Sequence, residues 1–247
     1  MHQFLRASAL LSMCLLASPP ANAQSGGSPP VTAIDILLEP DAVMVRHAEA
    51  ANERLLKVFP KGFVLGKTHQ PHVSTLQRYV KTADLDKVYE AVGRVLAEEN
   101  PSGWKLTAHK YYFLPWKEIG LAGIVIEPTA DLLRYQQKLI DAVTPFTVAT
   151  GTAEAYVTTK EDPEINQPTI EYVAHFVPNE TGAKFNPHVT IGIAPQDYLK
   201  NMLGERFEAF TFSPTGVSVY HLGNFGTART KLKGWELKPG GGSRALQ

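Results

Sequence analysis

Gln70-Pro71-His72-Val73-Ser74 returns later in the chain as Asn186-Pro187-His188-Val189-Thr190, with the histidines 188 − 72 = 116 residues apart. An amide, a proline, a histidine, a valine and a small hydroxyl residue recur in one order. In an extended strand alternate side chains share a face, so His72 and Ser74 project together while Val73 and Thr75 project the other way. His188 and Thr190 repeat that arrangement, and the β-branched neighbours keep each segment extended. Proline cannot donate a ladder hydrogen bond, so Pro71 and Pro187 mark where each strand begins and fix how its histidine emerges. Each copy reads as half of a site, and the chain is expected to bring the halves together.

Two imidazoles with two hydroxyls suit phosphodiester chemistry. With an unperturbed pKa of about 6.5, one histidine can accept a proton near neutral pH while its twin donates one. The hydroxyls of Ser74 and Thr190 can donate to an anionic group held between them. The near-symmetry of the copies leaves open which histidine is acid and which is base.

The duplicated His-x-[Ser/Thr] pattern resembles the two-histidine (2H) phosphoesterase superfamily, which includes bacterial RNA 2',3'-cyclic phosphodiesterases, also called 2'-5' RNA ligases. The resemblance runs from about Ile34 to Lys238. It implies a bilobal α+β fold, with two antiparallel sheets flanked by helices around a central cleft and related by a pseudo-twofold. It also implies a catalytic pair His72 and His188 and a phosphate-binding pair Ser74 and Thr190. The expected reaction is metal-independent hydrolysis of a cyclic phosphodiester on a nucleotide or a short RNA end. The alternative is a non-catalytic periplasmic module that binds a phosphorylated or anionic ligand.

Composition sets further bounds. The 247 residues suffice for one large domain or two small ones, and 44% apolar with 19% charged residues is a globular mixture. Lys plus Arg equals Asp plus Glu at 24 each, so no bulk positive field gathers long nucleic acid. A monomer acting on a small ligand is expected. No cofactor is expected, since no glycine-rich phosphate loop follows any strand.

Residues 1–23 read as a signal peptide: Arg6 precedes an apolar run from Ala7 to Ala17, and Ala21-Asn22-Ala23 matches a small-x-small cleavage pattern. Cleavage after Ala23 and a periplasmic or secreted address are expected, with no stable membrane anchor afterwards. Cys14, the single cysteine, lies in that leader, and Met13 before it argues against lipidation. The mature chain then has no disulfide and no thiolate metal site.

Residues 24–33 are expected to be a flexible linker and 34–238 the domain, with 239–247 a disordered tail. Within the domain, helices are expected from Asp41 to Phe59, Ala83 to Glu99, Asp131 to Val143, and Gln196 to about Phe207. Strands are expected at Ala33–Leu38, at both motifs, at Trp104–Phe113 and Leu121–Glu127 around a turn containing Pro115, and at Gly216–Leu222. The stretch 144–185 is read as an irregular insertion with a hairpin of strands at 150–159 and 169–177. It either overhangs the cleft or is an ordinary exposed hairpin.

Secondary candidates are cations near the motifs, Lys67, Arg78 and Lys184, and Phe225 in a glycine-flanked loop as a base-stacking residue. For the cations a solvated loop position is the preferred reading. His69 hints at a metal pair with His72, but no Cys, Asp or Glu lies within the repeated frame, and no metal is expected. Tyr172, His175, Tyr220 and His221 are further candidates for the cleft wall.

Overall fold

The computed structural model describes residues 30–66, 69–160 and 162–238, and the backbone of 241–246. The expected signal peptide, residues 24–29 of the linker and Lys67 lie outside the described residues. In chain order the elements are β1 (Val31–Pro40), α1 (Ala42–Val58), β2 (Val73–Lys81), α2 (Leu85–Glu99), β3 (Leu106–Trp116), β4 (Ile119–Ile126) and α3 (Ala130–Val143). They continue with β5 (Thr147–Val148), α4 (Gln167–Glu180), β6 (His188–Pro195), α5 (Gln196–Leu203), β7 (Phe210–Phe212), β8 (Pro214–Leu222), β9 (Ala228–Lys238) and β10 (Gly241–Leu246). Among the described residues no helix is long and apolar enough to cross a membrane.

Local chemistry explains the helices. Asp41 caps α1 by accepting from the amides of Val43 and Met44, and Met44, Ala48, Ala51 and Leu55 form its buried stripe. Thr129 caps α3 by accepting from Leu132, and that helix buries Leu132, Tyr135, Leu139 and Val143. Each stripe also carries one buried amide, Asn52 on α1 and Gln136 on α3.

The α+β class with antiparallel pairing holds, but the expectation of two separate sheets does not. The ten described strands form one sheet in the order β10-β9-β8-β1-β2-β6-β4-β3-β7, with β5 on the far end of β2. The seam is one residue pair, Val73 opposite Val189. Beyond it β2 and β6 part, and the later edge of β2 takes β5 at Tyr79 and Val80. The sequence repeat thus sits at the join, where one antiparallel pair of valines places the two histidine strands side by side.

Each motif strand also carries a β-bulge one residue after its hydroxyl. Leu37 pairs with Ser74 and Ile36 with Leu76, which leaves Thr75 as the extra residue. Gly123 pairs with Thr190 and Ala122 with Gly192, which leaves Ile191 extra. The bulge at Thr75 returns Gln77 to the face of Ser74 and turns Arg78 to the opposite face.

Other expectations are corrected. The hairpin at 150–177 is instead a short turn at Ala153–Ala155 followed by α4. Asn166 caps that helix by accepting from the Thr169 amide, Pro168 fits its first turn, and Thr169, Val173 and Phe176 are buried at helical spacing. The β-branched residues there are packed on a helix, so strand propensity misled. The linker ends early, because Val31, Thr32 and Ala33 already pair with β2. Pro115 lies inside β3 opposite Gly120, and the reversal is made at Lys117, whose φ is 50°. The tail is not wholly irregular, since the backbone of Gly241–Leu246 pairs with β9.

Candidate active site

The structure brings His72 and His188 to the seam from adjacent strands, and both rings are held in the same way. His72 Nδ1 lies 2.7 Å from the carbonyl oxygen of Gln70, and His188 Nδ1 lies 2.8 Å from that of Asn186. A carbonyl only accepts, so Nδ1 carries a hydrogen in each ring and Nε2 is left for chemistry. The register set by Val73–Val189 runs His72 toward Thr190 and Ser74 toward His188. A hollow between Ser74 and His188 is walled by Tyr172, Phe176, Phe185 and Glu180.

The two halves differ in one polar pair. Asp35 on β1 is opposite Gln77, whereas the position 116 residues beyond Gln77 is Ile193, opposite Leu121. Asp35 is fully buried, and its Oδ2 accepts from Ser74 Oγ at 2.5 Å and from Gln77 Nε2 at 3.0 Å. His72 Nε2 lies 3.7 Å from the same oxygen. Burial pushes the Asp35 carboxyl up, while the His72 charge and the bonds from Ser74 and Gln77 pull it back. Asp35 Oδ1 and Gln77 Oε1 are buried without a hydrogen-bond partner.

Among the described residues no carboxylate lies within ion-pair distance of His188, although Glu180 borders the same hollow. Burial lowers the His188 pKa to about 4, opposed by the hydrogen bond to Asn186 and aided by His72 nearby. Tyr112 from β3 packs against its ring at 4.7 Å between centroids. Burial, with Tyr172 and Glu180 close by, holds the Tyr112 phenol well above its ordinary range. Glu180 is itself pushed up by burial and eased by Lys184. Tyr172 and Glu180 also border a second hollow of about 280 Å³ on α4, with Glu171 and His175.

The secondary candidates divide. Tyr172 lines the hollow, though from a helix rather than a hairpin. Arg78 faces away and donates to Thr147 Oγ1, so it does not reach the site. Lys184 donates to the Pro178 carbonyl at the end of α4 and touches neither histidine. His69 stacks on Phe63, His175 bonds back to Glu171, and His221 bonds to the Ala155 carbonyl. Tyr220 donates to Gln70 Oε1, on the segment that leads into the first motif. Among the described residues no group of three or more His, Cys, Asp or Glu side chains could hold a metal.

Phe225 is 48% exposed and meets Trp116 edge-on at 5.3 Å, with Lys117 Nζ 5.0 Å from the Trp116 ring. Tyr112, Leu114 and Trp116 share a face of β3, so one row leads from His188 to this pair. The Phe225 loop is tied to α4 through Thr169 Oγ1, which accepts from the Phe225 amide.

Sequence reading missed Asp35, Gln77, Tyr112 and Trp116. Asp35 alone carried a visible signal, a carboxylate in the middle of an otherwise apolar strand. Gln77 was hidden by the bulge, and the aromatic residues depend on long-range pairing.

No family model matches the chain, and no curated protein matches it. Solved structures similar to it include TT0787 of Thermus thermophilus, at TM-score 0.49 and 14% identity, covering 85% of this chain and all of that one. Escherichia coli LigT complexed with NADP+ gives TM-score 0.39 and 14% identity, covering 85% of this chain and 99% of that one. The same protein complexed with 3'-AMP gives 0.42 and 12%, covering 85% and 100%. Function is therefore read from the residues and geometry of the site itself.

Proposed function

We propose that this protein is a metal-independent phosphodiesterase that opens cyclic phosphodiesters, such as the 2',3'-cyclic phosphate of a nucleotide or a short RNA end. The observation that carries the reading is the matched pair of histidines, each with Nδ1 held by a carbonyl, with the Asp35 carboxyl 3.7 Å from Nε2 of His72.

That asymmetry assigns the roles. His188, neutral at pH 7, is the general base: its Nε2 takes a proton from water as the water oxygen bonds to phosphorus. His72, beside Asp35, is the general acid: its Nε2–H goes to the departing ribose oxygen as the ring P–O bond breaks. The product is a phosphate monoester with a free hydroxyl, and the imidazoles exchange protons with solvent to reset. Nδ1–H stays with its carbonyl in both rings throughout, which keeps each Nε2 aimed at the reaction. Ser74 donates its one hydrogen to Asp35, which leaves the Thr190 hydroxyl to meet the non-bridging oxygens.

Trp116 and Phe225, with Lys117 beside them, fit a nucleobase stacked at the edge of the cleft. The leader pattern supports a periplasmic or secreted setting. The test is turnover of 2',3'-cyclic nucleotides and of short RNAs ending in a cyclic phosphate, in excess EDTA, with protein beginning at Gln24. Turnover that survives the chelator supports the reading. Activity abolished by EDTA overturns it, and binding without turnover points to the non-catalytic module.

A further inference from the structure

We propose that Asn52 and Gln136 are positioning residues, a reciprocal pair of clamps that holds His72 and His188 at working distance across the seam. The inference rests on the reading of those histidines as the acting pair. Its grounds are separate, because they lie in side-chain bonds to backbone groups that do not include the histidines.

The seam itself is weak, one pair of residues between two diverging strands. A further constraint is needed to fix the angle between the two histidine strands. Asn52 on α1 donates through both hydrogens of Nδ2, to the Phe63 carbonyl at 3.0 Å and the Ile191 carbonyl at 2.9 Å, while its Oδ1 accepts from the Leu65 amide at 3.0 Å. Gln136 on α3 donates through both hydrogens of Nε2, to the Thr75 carbonyl at 3.0 Å and the Glu180 carbonyl at 3.4 Å, while its Oε1 accepts from the Gly182 amide at 3.3 Å.

The two patterns match and cross over. Ile191 and Thr75 are the bulge residues of the two motif strands, 191 − 75 = 116 residues apart. Phe63 and Leu65 lead into the first motif, and Glu180 and Gly182 into the second. Each amide therefore ties the segment that enters one histidine strand to the bulge of the other strand. A bulge carbonyl left out of the ladder would be a buried acceptor with no partner, and each amide supplies that partner. Gly192 makes room for one clamp, since a Cβ there would lie 2.9 Å from Asn52 Nδ2. Asn52 and Gln136 are 2% and 1% exposed and sit on the apolar stripes of their helices. Neither touches the reacting atoms.

The test uses Asn52→Leu, Gln136→Met and the double variant, with Val92→Ala on α2 as a core control. Turnover of a 2',3'-cyclic nucleotide and NMR titration of the ligand-free His188 ring are followed in each. Each clamp variant is expected to lose on the order of 10²-fold in kcat with KM little changed, the scale of a 1 Å misplacement. The double variant should lose scarcely more than either single one, because both losses act through one alignment. The His188 titration should move up from about 4 as the two histidine strands part. Val92→Ala should lower the melting temperature and move neither readout. Where an apolar variant fails to fold, Asn52→Ser and Gln136→Ser, which shorten the side chain and break the tie without adding a charge, carry the same expectations. Folded clamp variants with unchanged titration and kcat overturn the proposal, as does a Val92→Ala variant that reproduces both changes. If no turnover is found in the parent protein, the functional reading fails and the titration alone decides the clamp.

Discussion

His72 Nε2 lies 3.7 Å from Asp35 Oδ2, while the position matching Asp35 in the other half is Leu121. A duplicated motif would otherwise supply two equivalent histidines. One buried carboxylate breaks the equivalence by sitting beside one imidazole, with Ser74 and Gln77 holding it in place.

Replacing Asp35 with Asn removes the carboxyl group and leaves the shape. Turnover should fall by about 10²-fold, the lower end of the range of general acid–base contributions. Product affinity should change little. Steady-state kinetics and product inhibition check both, and unchanged kcat would remove Asp35 from the account.

The pH dependence follows from His188. Its folded pKa of about 4 is below the ordinary value of about 6.5, so the unfolded chain takes up the proton first as pH falls. The stability associated with this group is complete above about pH 6.5 and is lost progressively as pH falls through about 4. Activity should persist on the acid side to near pH 5 and drop through about 4. A pH–rate profile with paired thermal melts tests this, and an acid limb near 6.5 would contradict it.

The role assignment has a chemical test. A nucleotide diester with a 4-nitrophenolate leaving group needs no proton on departure. With that substrate His72→Ala should recover most of its lost rate, whereas His188→Ala should not, because water still needs a base. Recovery by His188→Ala alone would reverse the roles.

Phe225→Ala and Trp116→Ala should act on binding. Base–aromatic stacking contributes about 1–3 kcal/mol, so KM should rise by roughly 5- to 150-fold with kcat nearly unchanged. A drop confined to kcat would argue against a stacking platform.

The centre of the candidate site was legible in the sequence because the motif is local and written twice. His72, His188, Ser74 and Thr190 needed only the period of a strand to be placed on common faces. The single sheet was not legible, since its continuity depends on one contact, Val73 with Val189, between residues 116 apart. Helix α4 was misread because Val173 and Val177 have strand propensity while the helical signal lies in the Asn166 cap and the spacing of the buried face. The clamps Asn52 and Gln136 look like surface amides in the sequence. Only the fold shows that they face bulge carbonyls in the opposite half.

The most direct measurement is the rate of 2',3'-cyclic nucleotide hydrolysis in excess EDTA by the parent protein, His72→Ala and His188→Ala, each shown to be folded. The account predicts turnover in the parent and a loss of at least about 10²-fold in each variant. Turnover that persists in either variant, or that requires a divalent metal, would contradict it.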